Sequence, residues 1–168
     1  MAYKDHFQLA DNMIAHLDSV IYNINDDLIS SRYVGFVSVS AVTVYELAIK
    51  EIFMDFAEKK NKVFGNFVFN YFNRINGRIK YKVLWDEYVK RFGEKYVKRF
   101  KNKVQKANEA SLRNEGISVL TSYQNIIIWR NQFTHEGIPP NTATYTEVVK
   151  AYHAGQRVID CLAESMNR

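Results

Sequence analysis

One cysteine in 168 residues, Cys161, excludes an intrachain disulfide and any zinc site built from several thiolates. It lies within "RVIDCLAESM", on the apolar side of an expected helix, and reads as an inert buried thiol. Proline occurs twice, side by side at Pro139 and Pro140, and glycine only seven times. Strand-and-turn folds need more punctuation than that, so a mostly helical chain is expected. There is no HExxH pair, no Gly-x-Ser-x-Gly elbow and no glycine-rich phosphate loop, which removes most of the enzyme repertoire. His6, His16 and His153 have no acid, cysteine or histidine at metal-ligand spacing, so neither a metal nor a cofactor is expected. The apolar stretch Tyr33 to Ile49, which has no Lys, Arg or Asp, contains Glu46 and several Ser and Thr, and is too short to span a bilayer. "MAYKDHFQLADNM" carries no charged-then-apolar leader, so a soluble, cytoplasmic protein without a membrane partner is expected.

What the chain has is apolar and aromatic mass. Hydrophobic residues make up 47%, with 11 Phe, 11 Tyr and 2 Trp, enough for one globular domain over residues 1–168 that buries roughly 70% of its unfolded surface. Residues 4–25 place Phe7, Met13, Ile14, Leu17, Ile21 and Ile24 at helical steps. "VGFVSVSAVTV" alternates well enough for a strand. It runs without a turn signal into "YELAIKEIFMDFAEKK", so one long helix from near Ser31 to residue 59 is expected. Residues 64–75 read as a short aromatic helix capped at Asn76-Gly77. The pentapeptide "YVKRF" occurs at 88–92 and 96–100, with Gly93 either dividing two helices or weakening one. Ser118 can cap the next helix, and the box Thr144-Tyr-Thr-Glu147 starts a last one that runs to about Met166. The expected fold is an all-α bundle of four long helices with a basic helical insertion at about 60–112.

Charge is unevenly spread. Residues 74–106 hold twelve Lys or Arg against three acids, in a chain whose formal net charge is +5. Such polarity attracts polyanions to one face. Tyr81, Trp85, Tyr88, Phe92, Tyr96 and Phe100 interleave with the cations, as on single-stranded nucleic-acid surfaces. Rings at such steps also make a core stripe with the cations as its solvated side, and that reading is preferred for the rings. For the charges an RNA-facing role is preferred, with Lys98, Arg99, Lys101 and Lys103 as candidate contacts.

The segment "WRNQFTHEGIPP" ends an apolar helix on Arg130, Asn131 and His135. One reading is an ordinary solvated helix end, with Arg130 and His135 complementing the negative pole of the helix dipole. The other is a small reactive site. Asn131 and His135, four apart, share a helix face, while Arg130 lies about 140° from His135 and reaches it only by its flexible stem. Arg offers a fork of donors to an anion, Asn one more donor, and His can move a proton near neutral pH.

"RNQFTHEG" resembles the R-N-x-x-x-H signature of the HEPN superfamily, and "VSAVTVYELAIKEIFMDF" is similar to the second helix of its RiboL-PSP-HEPN subgroup. The tyrosine that one toxin branch carries two places after the histidine is Gly137 here. The resemblance implies a four- to five-helix bundle with the signature late in the penultimate long helix. It also implies a metal-independent endoribonuclease whose 2′-hydroxyl attack leaves a 2′,3′-cyclic phosphate. Arg130, Asn131 and His135 are then the catalytic candidates, and Glu46 corresponds to a supporting polar residue near the site. Each chain offers one evident proton-transfer group, whereas the reaction needs an acid and a base. A homodimer with a composite site is therefore expected, as is typical of the superfamily. RNA is the expected partner, with an antitoxin or companion defence protein beside it if the chain is a toxin or phage-defence effector. The alternatives are a non-catalytic HEPN-like module binding RNA or protein, and a helical dimer that binds nucleotides.

Overall fold

A computed structural model of the chain describes residues 2–21, 23–24, 26–140 and 142–167. Among these residues the architecture is all-α, without a strand. A 3-10 turn over Ala2–His6 leads into α1 (Phe7–Ile21), then α2 (Asp27–Glu58) and α3 (Lys62–Phe72). A one-turn α4 (Tyr81–Val83) runs on as a π-turn over Leu84–Tyr88 and a 3-10 turn over Val89–Phe92. The chain closes with α5 (Glu94–Glu115), α6 (Val119–Asn131) and α7 (Tyr145–Met166). No helix among the described residues is long and apolar enough to cross a membrane.

The central element is α2, about 48 Å long at 1.5 Å per residue. Its valine-rich first half is helical because burial overrides propensity: Val34, Val37, Ala41, Val44, Tyr45 and Ala48 recur at three- and four-residue steps and are fully enclosed. Hydroxyls within that half are satisfied by the helix itself, Ser38 donating to the Val34 carbonyl at 2.8 Å and Thr43 to Val39 at 2.9 Å. The helix begins several residues before Ser31. Asp26 is the cap, accepting from the Leu28 and Ile29 amides, while the Ser31 hydroxyl donates to the Leu28 carbonyl. The first long helix stops at Ile21, and residue 25, its expected end, lies outside the described residues.

α3 also differs from expectation. Asn61 caps its start and the helix finishes at Phe72, so Gly77 is not its C-terminal cap. Gly77, at φ 76°, is the third residue of the second of two consecutive reversals, Phe72–Ile75 and Ile75–Arg78. Gly93, at φ 115°, does divide two helical segments. The rings around it are core: Phe92 stacks on Phe53 at 5.2 Å, and Phe100 is fully buried against Tyr81. Basic α5 packs against α6 and α7 through Val97, Phe100 and Val104. Ser118 and the Thr144–Glu147 box cap α6 and α7.

Three stacked tyrosines lock the bundle. Tyr45 of α2 lies between Tyr123 of α6 and Tyr152 of α7, at 5.4 and 5.9 Å between ring centroids. Gly155 allows this approach, because a β-carbon there would strike the Tyr45 hydroxyl. Burial pushes the Tyr45 and Tyr123 hydroxyls well above their ordinary range, so they stay protonated and serve as donors. The Tyr45 hydroxyl donates to the Tyr152 carbonyl, and that of Tyr152 to Asp11 Oδ1 at 2.9 Å.

Candidate functional site

α6 does not end on a regular turn. Residues Gln132–Glu136 form a π-turn closed by Gly137, left-handed at φ 66°, whose amide donates to the Gln132 carbonyl. A π-turn takes more residues per revolution than an α-helix, so positions five apart come to share a face. Arg130 and His135 are five apart. The angular separation expected from a regular helix is thereby removed, and Arg130 Nη1 lies 3.2 Å from His135 Nε2 and 3.0 Å from Asn131 Oδ1. Guanidinium only donates, so Nε2 presents a lone pair and the imidazole proton sits on Nδ1. Asn131 accepts through Oδ1 and keeps its amide NH2 as a donor.

Packing fixes the π-turn against α2. The Phe133 ring lies over Gly35, where a β-carbon would collide with it, and meets Phe36 edge-on at 5.4 Å. Thr134 ties the turn back by donating to the Arg130 carbonyl at 2.8 Å. Trp129, buried, donates to Thr142 at 3.2 Å and anchors the chain after Pro140.

Opposite the π-turn lies the segment between α3 and α4, which has no regular structure yet is held at three consecutive residues. The Gly77 amide donates to Glu46 Oε2 at 2.5 Å, the Tyr88 hydroxyl to the Arg78 carbonyl at 2.9 Å, and the Tyr123 hydroxyl to the Ile79 carbonyl at 2.6 Å. Glu46 is itself oriented by Lys50 at 2.7 Å. Gly77 lies against the Arg130 guanidinium, whose Nη2 would stand 3.2 Å from a β-carbon there. Glu46 thus holds the backbone at Gly77, which lies against Arg130.

The two walls enclose a cavity of about 370 Å³ lined by Asn76, Gly77, Arg78, Lys80, Val83, Arg130, Asn131 and His135. No acid lines it. Arg78 is bound to Glu87 at 3.0 Å across its exposed side, whereas Lys80 has no acid partner among the described residues. Three cations, two carboxamides and one imidazole around an open cleft suit a phosphate carrying a proton to be moved. In the sequence, Arg78 and Lys80 stand in a basic run with nothing to distinguish them. What singles them out is the turn at Gly77, which delivers them to the face of α6 that carries Arg130.

The other basic candidates lie elsewhere. Lys103 is paired with Glu164 at 2.8 Å, Lys101 sits over the Trp85 ring at 4.3 Å, and Arg99 leans on Tyr96. Lys98 is exposed, and none of the four lines the cavity. Cys161 is buried and its thiol is pushed up to about 11 by burial. No group of three or more His, Cys, Asp or Glu that could hold a metal stands together among the described residues.

The family model described as RiboL-PSP-HEPN matches residues 5–168, nearly the whole chain. No curated protein and no solved structure matches it.

Proposed function

The chain belongs to the RiboL-PSP-HEPN family, and from that premise we propose that it is an endoribonuclease working without a metal ion. The observation that carries the reading is the acid-free cavity in which Arg130 Nη1 bridges Asn131 and His135. RNA places its phosphodiester there, between Arg130 and Lys80. Arg130 turns from His135 to the bound phosphate, and the freed His135 Nε2 takes the proton from the 2′-hydroxyl. The 2′-oxygen bonds to phosphorus, and the bond to the 5′-oxygen breaks. Arg130, Lys80 and the Asn131 amide stabilise the extra negative charge of the phosphorane. The leaving 5′-oxygen needs a proton from the other side of the phosphate, and a second copy's imidazole supplies it in a two-fold dimer. The products are a 2′,3′-cyclic phosphate and a 5′-hydroxyl.

Phe36 supports such a dimer: it is 48% exposed, sits edge-on to Phe133 and lies beside the π-turn that carries His135. An open site of this kind suits a toxin or defence effector restrained by a companion protein, which co-purification with neighbouring gene products tests.

The deciding experiment is cleavage of a mixed-sequence RNA in excess chelator, with the ends analysed. Cyclic phosphate ends are expected, and His135→Ala and Arg130→Ala are each expected to remove at least about a hundredfold of the activity while leaving the helical circular dichroism unchanged, on the scale of lost acid–base and anion-stabilising groups, roughly 10²–10⁴-fold each. RNA that is bound but not cut by the unaltered chain would identify instead a non-catalytic binding module, in which the same hydrogen bonds only finish a helix.

A further inference from the structure

A second cavity, of about 270 Å³, adjoins the first and is lined by Lys80, Tyr81, Lys82, Gln124, Ile127 and Ile128. Lys80 lines both. We propose that this second cavity receives the nucleobase next to the phosphate held at Arg130, and that Gln124 reads its edge. The proposal rests on the ribonuclease reading for its biological role, but the binding it describes does not depend on catalysis.

The two cavities differ in chemistry as the two halves of a nucleotide do. The first offers cations, carboxamides and an imidazole. The second is lined by two isoleucines, a tyrosine and two lysines, with a single carboxamide among them. A base has apolar faces and a polar edge, and wants that combination. At about 270 Å³ the space falls just below the range of roughly 300–1,000 Å³ for drug-sized ligands, as a single ring system requires. Gln124, Ile127 and Ile128 stand at i, i+3 and i+4 on α6, so they present one face.

Two features of that face leave it free to meet a ligand. Ile128 is 50% exposed although its neighbours Ile126 and Ile127 are buried. The Gln124 amide is exposed and makes no hydrogen bond among the described residues. A base lying on Ile128 covers the first and pairs with the second, since a carboxamide can donate and accept at once along a base edge. Tyr81 is fixed as the opposing wall by its packing on Phe100 at 5.6 Å. Lys80, the residue before α4, lines both cavities, so its side chain is within reach of the phosphate of the same nucleotide.

The test titrates the unaltered chain with the four nucleoside 3′-monophosphates and with inorganic phosphate, none of which can be cleaved. At least one nucleotide is expected to bind about tenfold more tightly than phosphate and about tenfold more tightly than the weakest of the four, the discrimination a paired amide provides. Gln124→Leu, an exposed change that preserves the helix, should shrink the spread among bases to within about threefold while phosphate binding is kept. Equal binding of all four nucleotides overturns the base site, as does a preference that survives Gln124→Leu, or no gain over phosphate because a second copy of the chain covers Ile128. Failure here is separable from failure of the ribonuclease reading. A chain that cuts every RNA step equally and binds the four nucleotides alike keeps the nuclease and loses the base site. A chain with Gln124-dependent nucleotide preference that never cuts RNA keeps the base site and loses the nuclease.

Discussion

Gly77 and Gly116 have nearly the same backbone, φ 76° and 69°, but not the same surroundings. Nothing stands within 4 Å of a β-carbon placed at Gly116, whereas at Gly77 it would press on the Arg130 guanidinium. An alanine at either position adopts the left-handed conformation at a cost of roughly 1–2 kcal/mol. The stability losses should therefore match. Only Gly77→Ala also moves Arg130, the side chain proposed to hold the phosphate, and it is expected to lower RNA cleavage more than tenfold, whereas Gly116→Ala leaves it within about twofold, since misplacing a catalytic group by even 1 Å can cost about 10²-fold. Melting temperatures and initial rates of the two variants, measured side by side, decide the matter. Equal rates would mean that Arg130 is not positioned by this backbone.

Among the elements, the one that matters most for the site is the least regular. The strip Gly77–Ile79 is fixed by Glu46, Tyr88 and Tyr123, which come from three different elements. Removing the Tyr123 hydroxyl leaves the Ile79 carbonyl unpaired at a buried spot, costing about 1–3 kcal/mol, and frees the strip that carries Arg78 and Lys80. Tyr152→Phe is the control: it loses a comparable hydrogen bond to Asp11 and the Phe7 carbonyl, in a part of the bundle that carries no cavity residue. Both variants should melt earlier by a similar amount, and only Tyr123→Phe should lose most of its cleavage activity. Parallel losses in both would reduce the tether to ordinary core stability.

The same division between regular helix and tethered strip decides what the sequence makes legible. Helices are legible because burial at α2, α5 and α7 imposes a period, and Ser118 and Thr144 mark starts by the chemistry of their own side chains. The polar trio is legible because all three residues lie within six positions of one another. The π-turn is not, since one extra residue per turn does not disturb an apolar pattern that ends just before it. Nor is the strip, whose fixing groups lie 31, 10 and 44 positions away in sequence and act through backbone atoms that carry no residue identity.

At the scale of the whole molecule, the acid-free run from residue 59 to 85 carries seven cations, all exposed, and ends at the cavity. α5 also carries seven cations, but it has three acids of its own, and its Lys103 is paired with Glu164, which leaves fewer free cations on that side. Replacing Arg78, Lys80 and Lys82 by Ala should flatten the salt dependence of RNA binding by about 2 in log–log slope, at roughly 0.7 for each phosphate no longer neutralised. The Lys98, Arg99, Lys101 and Lys103 quadruple should change it less; a larger change would move the RNA path onto α5. The dimer is the remaining consequence of counting groups. One imidazole lines each cavity, and the cleavage step needs a base and an acid on opposite sides of phosphorus. Two copies meeting around Phe36 and Phe133 would bring their π-turns together and complete the set. Active chains dissociated and reassociated with a large excess of His135→Ala chains should then lose activity beyond simple dilution, because nearly every active chain is caught in a mixed dimer with a single histidine. Phe36→Asp should give monomers with intact helical signal and little cleavage, since the ring it replaces is exposed and, among the described residues, meets other rings only at Phe133 and Tyr33. Activity that falls only in proportion to the active chains, or a fully active Phe36→Asp monomer, would leave one chain sufficient and require its acid to come from within the cavity, where Lys80, the one lysine of the lining, has no acid partner among the described residues.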